Sequence, residues 1–148
     1  MKLATIGFGK KGAKRFVELL QQAGVGTVVD TRRRPDSPLS GYARQRDLPF
    51  ILATAGIAYE HRLELAPPDD LLERYRADKN WSNYVEEFNR RVLAAPEAQT
   101  AMDELLRRAS SGETVALLCS EPTPERCHRR LVAERIATSD DIEIVHLI

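Results

Sequence analysis

Cysteine is scarce in this chain: there are two thiols, Cys119 and Cys127, in 148 residues. That excludes a disulfide framework and points to reduced thiols in a cytoplasmic protein. Long apolar runs are missing too. Nothing approaches the roughly 20 residues needed to span a bilayer, so no membrane partner is expected. The opening Met1-Lys2-Leu3-Ala4-Thr5-Ile6-Gly7 is too short, and too soon broken by glycine, for a secretory leader. Repeats, low-complexity tracts and a second core are absent, which leaves one domain over residues 1–148. Cys119, Cys127, His128 and Glu121 are the residues that could make a zinc set, but neighbouring Cys and His make awkward ligands and no C-x2-C pair exists, so no metal and no cofactor are expected.

Net charge is absent as well, with 22 Lys/Arg against 22 Asp/Glu. The balance is uneven along the chain. Residues 1–50 hold 10 basic against 4 acidic residues, a balance of +6, and residues 51–148 hold 12 against 18, a balance of −6. The basic half includes Lys10, Lys11, Lys14, Arg15 and the run Arg32-Arg33-Arg34. Such clusters hold phosphate or nucleic acid, or simply form a solvated face.

What is present is an alternation of strands and helices. Residues 2–6 read as a first strand, followed by Gly7-Phe8-Gly9. Ala13, Phe16, Val17 and Leu20 recur on one helical face, closed by Gly24. Residues 25–30 read as a strand buried on both faces. Residues 32–41 form a loop punctuated by Pro35, Pro38 and Gly41. A helix over 46–55 precedes a short third strand at 57–61. Asp69 or Asp70 caps a helix running toward Ala77, and Trp81, Tyr84, Val85 and Phe88 mark another. From Pro96, the stripe Ala98, Ala101, Met102, Leu105, Leu106 and Ala109 runs to Gly112. A fourth strand covers 114–119. Thr123-Pro124 suits the start of a helix running to about Ala137, and a fifth strand follows at 142–147. The pattern predicts a single-domain α/β fold. It is a three-layer, Rossmann-like sandwich: a mainly parallel five-stranded sheet in the order 3-2-1-4-5, with helices on both faces.

In that order three loops share the C-terminal edge of the sheet, where open α/β proteins build sites. The first is Gly7-Phe8-Gly9-Lys10. Its glycines permit close backbone approach and precede a helix start that attracts anions. Gly7-x-Gly9-x-x-Gly12 fits the dinucleotide fingerprint, and a tight strand-to-helix turn accounts for it equally well. The second loop carries Asp30 and Arg32, two apart and therefore on one side of an extended chain. They are either an ion pair fixing a loop or a base beside an anion clamp.

The third loop carries Cys119 and Glu121. Cys119 reads as a buried thiol or an activated thiolate. The phosphatase-type C-x5-R pattern fails, because Glu125 holds the arginine position. Glu121, one step past a strand and followed by proline, is poorly placed for packing and well placed as an acid, base or ligand. Cys127 and His128 open the last helix. His128 falls within the arc of Leu131 and Val132, so it faces the strand ends. Arg129 and Arg130 point further round: one is within reach of a phosphate, and at least one is expected to be simply solvated.

This set of motifs resembles the family catalogued as "domain of unknown function 488". The matching segments are Thr5-Ile6-Gly7, Asp30-Thr31-Arg32 with Pro35 and Ser37, and Gly56-Ile57-Ala58-Tyr59-Glu60-His61. Leu117-Leu118-Cys119-Ser120-Glu121 and Cys127-His128-Arg129 complete them. Gly9 stands where the family often has serine, and Leu65-Ala66-Pro67 where it usually has Leu-Gly-Gly. The resemblance implies an α/β sandwich with a polar cluster at the strand ends, and it brings no reaction.

The expectation is an enzyme acting on a phosphate-bearing small molecule or nucleic acid. Asp30, Glu121, His128 and Cys119 are its catalytic candidates. Gly7, Gly9, Lys10, Arg32 and Arg129 are its anion-binding candidates. The alternatives are a non-catalytic module that senses a nucleotide or other anion and, more weakly, a small metal-binding protein.

Overall fold

A computed structural model describes residues 1–139 and 141–148. Five strands form one sheet: β1 (Lys2–Gly7), β2 (Thr27–Asp30), β3 (Ala58–His61), β4 (Val115–Cys119) and β5 (Glu143–Leu147). The helices are α1 (Ala13–Gln22), α2 (Leu48–Thr54), α3 (Asp69–Asp78), α4 (Trp81–Phe88), α5 (Pro96–Ser110) and α6 (His128–Ile136). No helix among the described residues is long and apolar enough to cross a membrane.

Every strand pair is parallel, and the order is β3-β2-β4-β1-β5 rather than the expected 3-2-1-4-5. The exchange of the two middle strands has a physical basis. Val115-Ala116-Leu117-Leu118-Cys119 contains no charged or hydroxyl side chain and is buried throughout. Such a strand suits the centre, where both edges and both faces are covered. In register, Gly7 lies beside Cys119 and Asp30 beside Leu118 and His61. The loop after β4 is therefore flanked by the loops after β1 and β2.

Strand alternation sorts the core into two layers. Ala4, Ile6, Val28, Ala116 and Leu118 meet Phe16, Leu19 and Leu20 of α1 and Leu48 and Leu52 of α2. On the other face, Leu3, Val29, Val115 and Leu117 meet residues of α3, α4, α5 and α6. Two local expectations change. The last helix begins at His128, not at Thr123-Pro124, because Cys127 N–H donates to Pro124 O (3.3 Å) and closes a turn first. The expected loop over 32–41 carries a short 3-10 turn, Pro38–Ala43, whose start is capped by the Ser37 hydroxyl.

Candidate functional site

The sheet divides the expected single site in two. Asp30 shares a face with Val28, toward α2. Cys119 shares a face with Leu117, toward α6. The four strand-end groups Asp30, Arg32, Cys119 and His128 thus do not meet in one cluster.

On the α2 side, Asp30 is fully buried and Arg32 is 7% exposed. Arg32 Nε and Nη2 donate to Asp30 Oδ1 and Oδ2 at 2.9 and 2.7 Å, a bidentate pair. Arg32 Nη1 donates to Ser40 Oγ (3.2 Å), and Nη2 also donates to Ala43 O (2.7 Å). The guanidinium lies 5.1 Å from the centre of the Phe8 ring. Tyr59 O–H donates to Asp30 Oδ2 (2.6 Å), and burial first, then the Asp30 charge, pushes the phenol up. Each nitrogen of Arg32 is engaged inside the protein. The pair fixes the 3-10 turn against the sheet, with four of the five guanidinium N–H groups given to protein acceptors.

The glycine loop is also engaged internally. Phe8 N–H donates to Cys119 O (3.3 Å) and Gly9 N–H to Ser120 O (2.9 Å). A Cβ at Gly7 would overlap the Glu121 carbonyl, and one at Gly9 would come within 2.6 Å of Ser120 O. These glycines let the loops after β1 and β4 pack backbone to backbone. They do not present an amide cradle. Gly12, the last glycine of the fingerprint, only caps α1. Lys10 is exposed beyond the loop, with φ at 57°.

The α6 side holds the reactive side chains. Thr31 lies between Asp30 and Arg32, so it points to the opposite face. Its hydroxyl donates to Leu118 O (2.8 Å). His128 Nε2 lies 2.9 Å from Thr31 Oγ1 and 2.8 Å from Thr31 O. With the hydroxyl proton already given to Leu118, both Thr31 oxygens accept, so Nε2 carries the hydrogen. Nδ1 is left for the thiols. Cys119, Cys127 and His128 are buried, and their ligand atoms all lie within 4.8 Å of one another. Neighbouring residues converge here because Cys127 is extended (φ −138°, ψ 139°) while His128 starts the helix. Thr31 was missed in the sequence, although the strand period that pairs Asp30 with Arg32 already turns it toward α6.

Charge is concentrated around this cluster. The Cys119 thiol is held well below the usual thiol range, first by a hydrogen bond from Cys127, then by His128 and Arg129, against its burial. Burial, followed by Cys119, pushes the Cys127 thiol up. Arg129 is fully buried. Its Nη1 donates to Glu121 O (2.7 Å) and lies 3.5 Å from Cys127 Sγ. Its Nε and Nη2 have no hydrogen-bond partner in the protein. Lys11 and His146 are both pushed toward neutrality, by burial first and then by Arg129. Lys11 Nζ donates to Gly7 O (2.6 Å), and His146 Nδ1 meets Thr5 Oγ1 at 2.6 Å. Arg130 turns away, to Glu134 (3.4 Å) and the Trp81 ring.

Glu121 projects into solvent past its own carbonyl. Its side chain lines an open cleft of about 400 Å³ with Tyr75, Lys79, Thr123, Glu125 and Arg126. An aromatic ladder along α4 backs the cluster. Trp81 stacks on Tyr84 (5.1 Å), Tyr84 on Phe88 (6.0 Å), and Phe88 packs on the His128 ring (5.7 Å).

A family model described as Domain of unknown function DUF488 matches residues 12–136. The chain belongs to this family. No curated protein and no solved structure matches it. The span matched by DUF488 runs from the residue before α1 to the last residue of α6. It therefore contains both strand-end clusters. The DUF488 match leaves out β1, whose glycine loop seats the Glu121 carbonyl, and β5, which carries His146.

Proposed function

We propose that this protein is an enzyme acting on a phosphate-bearing substrate, a nucleotide or nucleic acid, at the C-terminal edge of its sheet on the α6 face. The observation that carries this reading is Arg129, a fully buried guanidinium with Nε and Nη2 unpartnered. Burying a charge without a counter-charge costs several kcal/mol. A planar, two-pronged donor of this kind matches a phosphate oxygen pair. Lys11 and His146, pushed toward neutrality by burial first, feel the Arg129 charge next.

Arg129 takes the anion in this reading. Glu121, whose carbonyl accepts from Arg129 and whose side chain is exposed, does the acid–base work. The Rossmann-like arrangement supports it, since ligands of open α/β sheets sit at the strand C-termini. A cytoplasmic location suits two reduced thiols. The second reading is a non-catalytic anion sensor. It is favoured by the engagement of Asp30 with Arg32 and Tyr59, which removes one of the two carboxylates first considered for chemistry.

The test is thermal melting with inorganic phosphate, nucleotides and short oligonucleotides in low salt. A ligand at 100 times its Kd adds about 2.7 kcal/mol to the folded state. Arg129→Met is expected to melt no lower than the parent without ligand, because it removes an unpaired buried charge, and to lose the ligand shift. A variant that melts far lower and still shows the shift would make Arg129 a structural residue. Glu121→Gln is expected to keep affinity within about tenfold, or 1.4 kcal/mol, and to lose turnover of whichever ligand binds. Turnover that survives in Glu121→Gln removes it from acid–base work, and binding without turnover in the parent favours the sensor.

A further inference from the structure

We propose that Cys119, Cys127 and His128 form a site for one divalent transition-metal ion, zinc by preference, with the fourth coordination position left to water or substrate. The inference stands independently of Arg129 as an anion site. Three ligand atoms lie within 4.8 Å of one another. Around tetrahedral zinc, with bonds of about 2.3 Å to sulfur and about 2.0 Å to nitrogen, donor atoms are separated by roughly 3.4–3.8 Å. A contraction of at most about 1.4 Å therefore closes the set. Both cysteines are free thiols.

The surroundings are those of a metal ligand set. Metal-bound histidines almost always donate their other ring N–H to a carbonyl or carboxylate, which fixes the tautomer. Here Thr31 accepts from Nε2, which makes Nδ1 the ring nitrogen with a lone pair to give a metal. Packing of Phe88 on the imidazole holds the ring plane. Arg129 Nη1 lies 3.5 Å from Cys127 Sγ, on the edge of the set.

Charge balance argues for the same ion. Two thiolates, a neutral imidazole and a dication sum to zero, so a buried site carries no net charge. The donor set of two sulfurs and a nitrogen selects zinc and its soft neighbours over magnesium or calcium. No further His, Cys, Asp or Glu joins the cluster among the described residues. Three protein ligands with a fourth position open is the catalytic form of a zinc site rather than the closed structural form.

The experiment is titration of the reduced full-length protein with cobalt(II), which reports on the zinc site by absorption. Saturation at one ion per chain is expected, with a thiolate-to-cobalt charge-transfer band and the intense visible bands of tetrahedral cobalt. Cys119→Ser and Cys127→Ser, checked for folding by circular dichroism, should each weaken the charge-transfer band and the binding. Thr31→Val should lower affinity by about 10–100-fold, as for other outer partners of a ligand. X-ray absorption on the zinc-loaded parent needs no variant, and its first shell should contain two sulfurs. A parent without a charge-transfer band, a band unchanged in both serine variants, or a zinc shell without sulfur overturns the proposal and leaves the cluster a thiolate–imidazole pair. Loss of cobalt binding in Cys127→Ser with the phosphate shift intact separates this site from the anion site.

Discussion

Two buried arginines, Arg32 and Arg129, show how one residue type serves two ends. Arg32 meets a carboxylate, a hydroxyl and a carbonyl, and each of its nitrogens is engaged. Arg129 meets one carbonyl and a thiol, and two of its nitrogens meet nothing. The sequence expectation gave both an anion. The two-residue spacing identified the Asp30–Arg32 contact correctly, because strand period is local. It left open whether the pair faces a ligand or a loop, because Ser40 and Ala43 reach it from eight and eleven residues away. Arg32→Ala should strand the Asp30 carboxylate, with the Tyr59 hydroxyl as its remaining side-chain donor. Breaking a buried pair in this way costs about 3–5 kcal/mol. The urea midpoint should fall accordingly, with an unchanged slope. A variant as stable as the parent that has lost phosphate binding would return Arg32 to the binding site.

At the scale of elements, the strands and most helices were legible because hydrophobic period is a local signal. Strand order was not. The cores of β1, β2 and β4 all read as apolar runs, and only their competition for the doubly covered centre places β4 between β2 and β1. The start of α6 was misplaced for a related reason. Thr123-Pro124 has the composition of a cap, but the turn closed by Cys127 on Pro124 precedes the helix. That displacement lets adjacent Cys127 and His128 face Cys119, which spacing alone made unfavourable.

A second junction, between α5 and β4, carries a testable charge. Arg108 on α5 donates to Glu113 at 2.7 and 2.9 Å and to Glu60 on β3 at 2.7 Å. Arg108 first, and then the Thr27 hydroxyl, hold the Glu113 carboxyl at about 2, against an ordinary 4.5. A carboxylate depressed by folding stabilises above its unfolded value, and that stability is lost as pH falls through the folded one. The stability gap between parent and Glu113→Gln should be full above about pH 5 and close toward about pH 2. Denaturant midpoints across that range measure it. A gap that does not change with pH would assign the effect of Glu113 to packing.

For the whole molecule, the sheet acts as a partition. The basic first third of the chain builds β1, α1, β2 and the loop locked by Arg32, and much of its positive charge is matched locally or across the fold. Arg46 pairs with Asp36 (3.1 Å) and Arg34 with Asp69 (2.6 Å). Among the described residues only the Arg34–Asp69 pair draws on an acid from outside the first 50 residues, and Lys10, Lys14 and Arg15 stay exposed. A buried positive charge lies at Arg129, in the acidic part of the chain. A partition makes a thermodynamic prediction. Tyr59→Phe removes a donor to Asp30 on the α2 face, and Cys127→Ser perturbs the thiol cluster on the α6 face. They share no partner, so their effects on unfolding free energy should add within about 0.3–0.5 kcal/mol. Tyr59→Phe and Ser40→Ala both act on the Asp30–Arg32 pair and should deviate from additivity by about 0.5–3 kcal/mol. Urea melts of the three single and two double variants against the parent decide the matter. Coupling across the sheet as large as coupling within the Asp30 cluster would mean that the two faces respond as one site after all, with Thr31, the residue bonded to both layers, as the place to look for the connection.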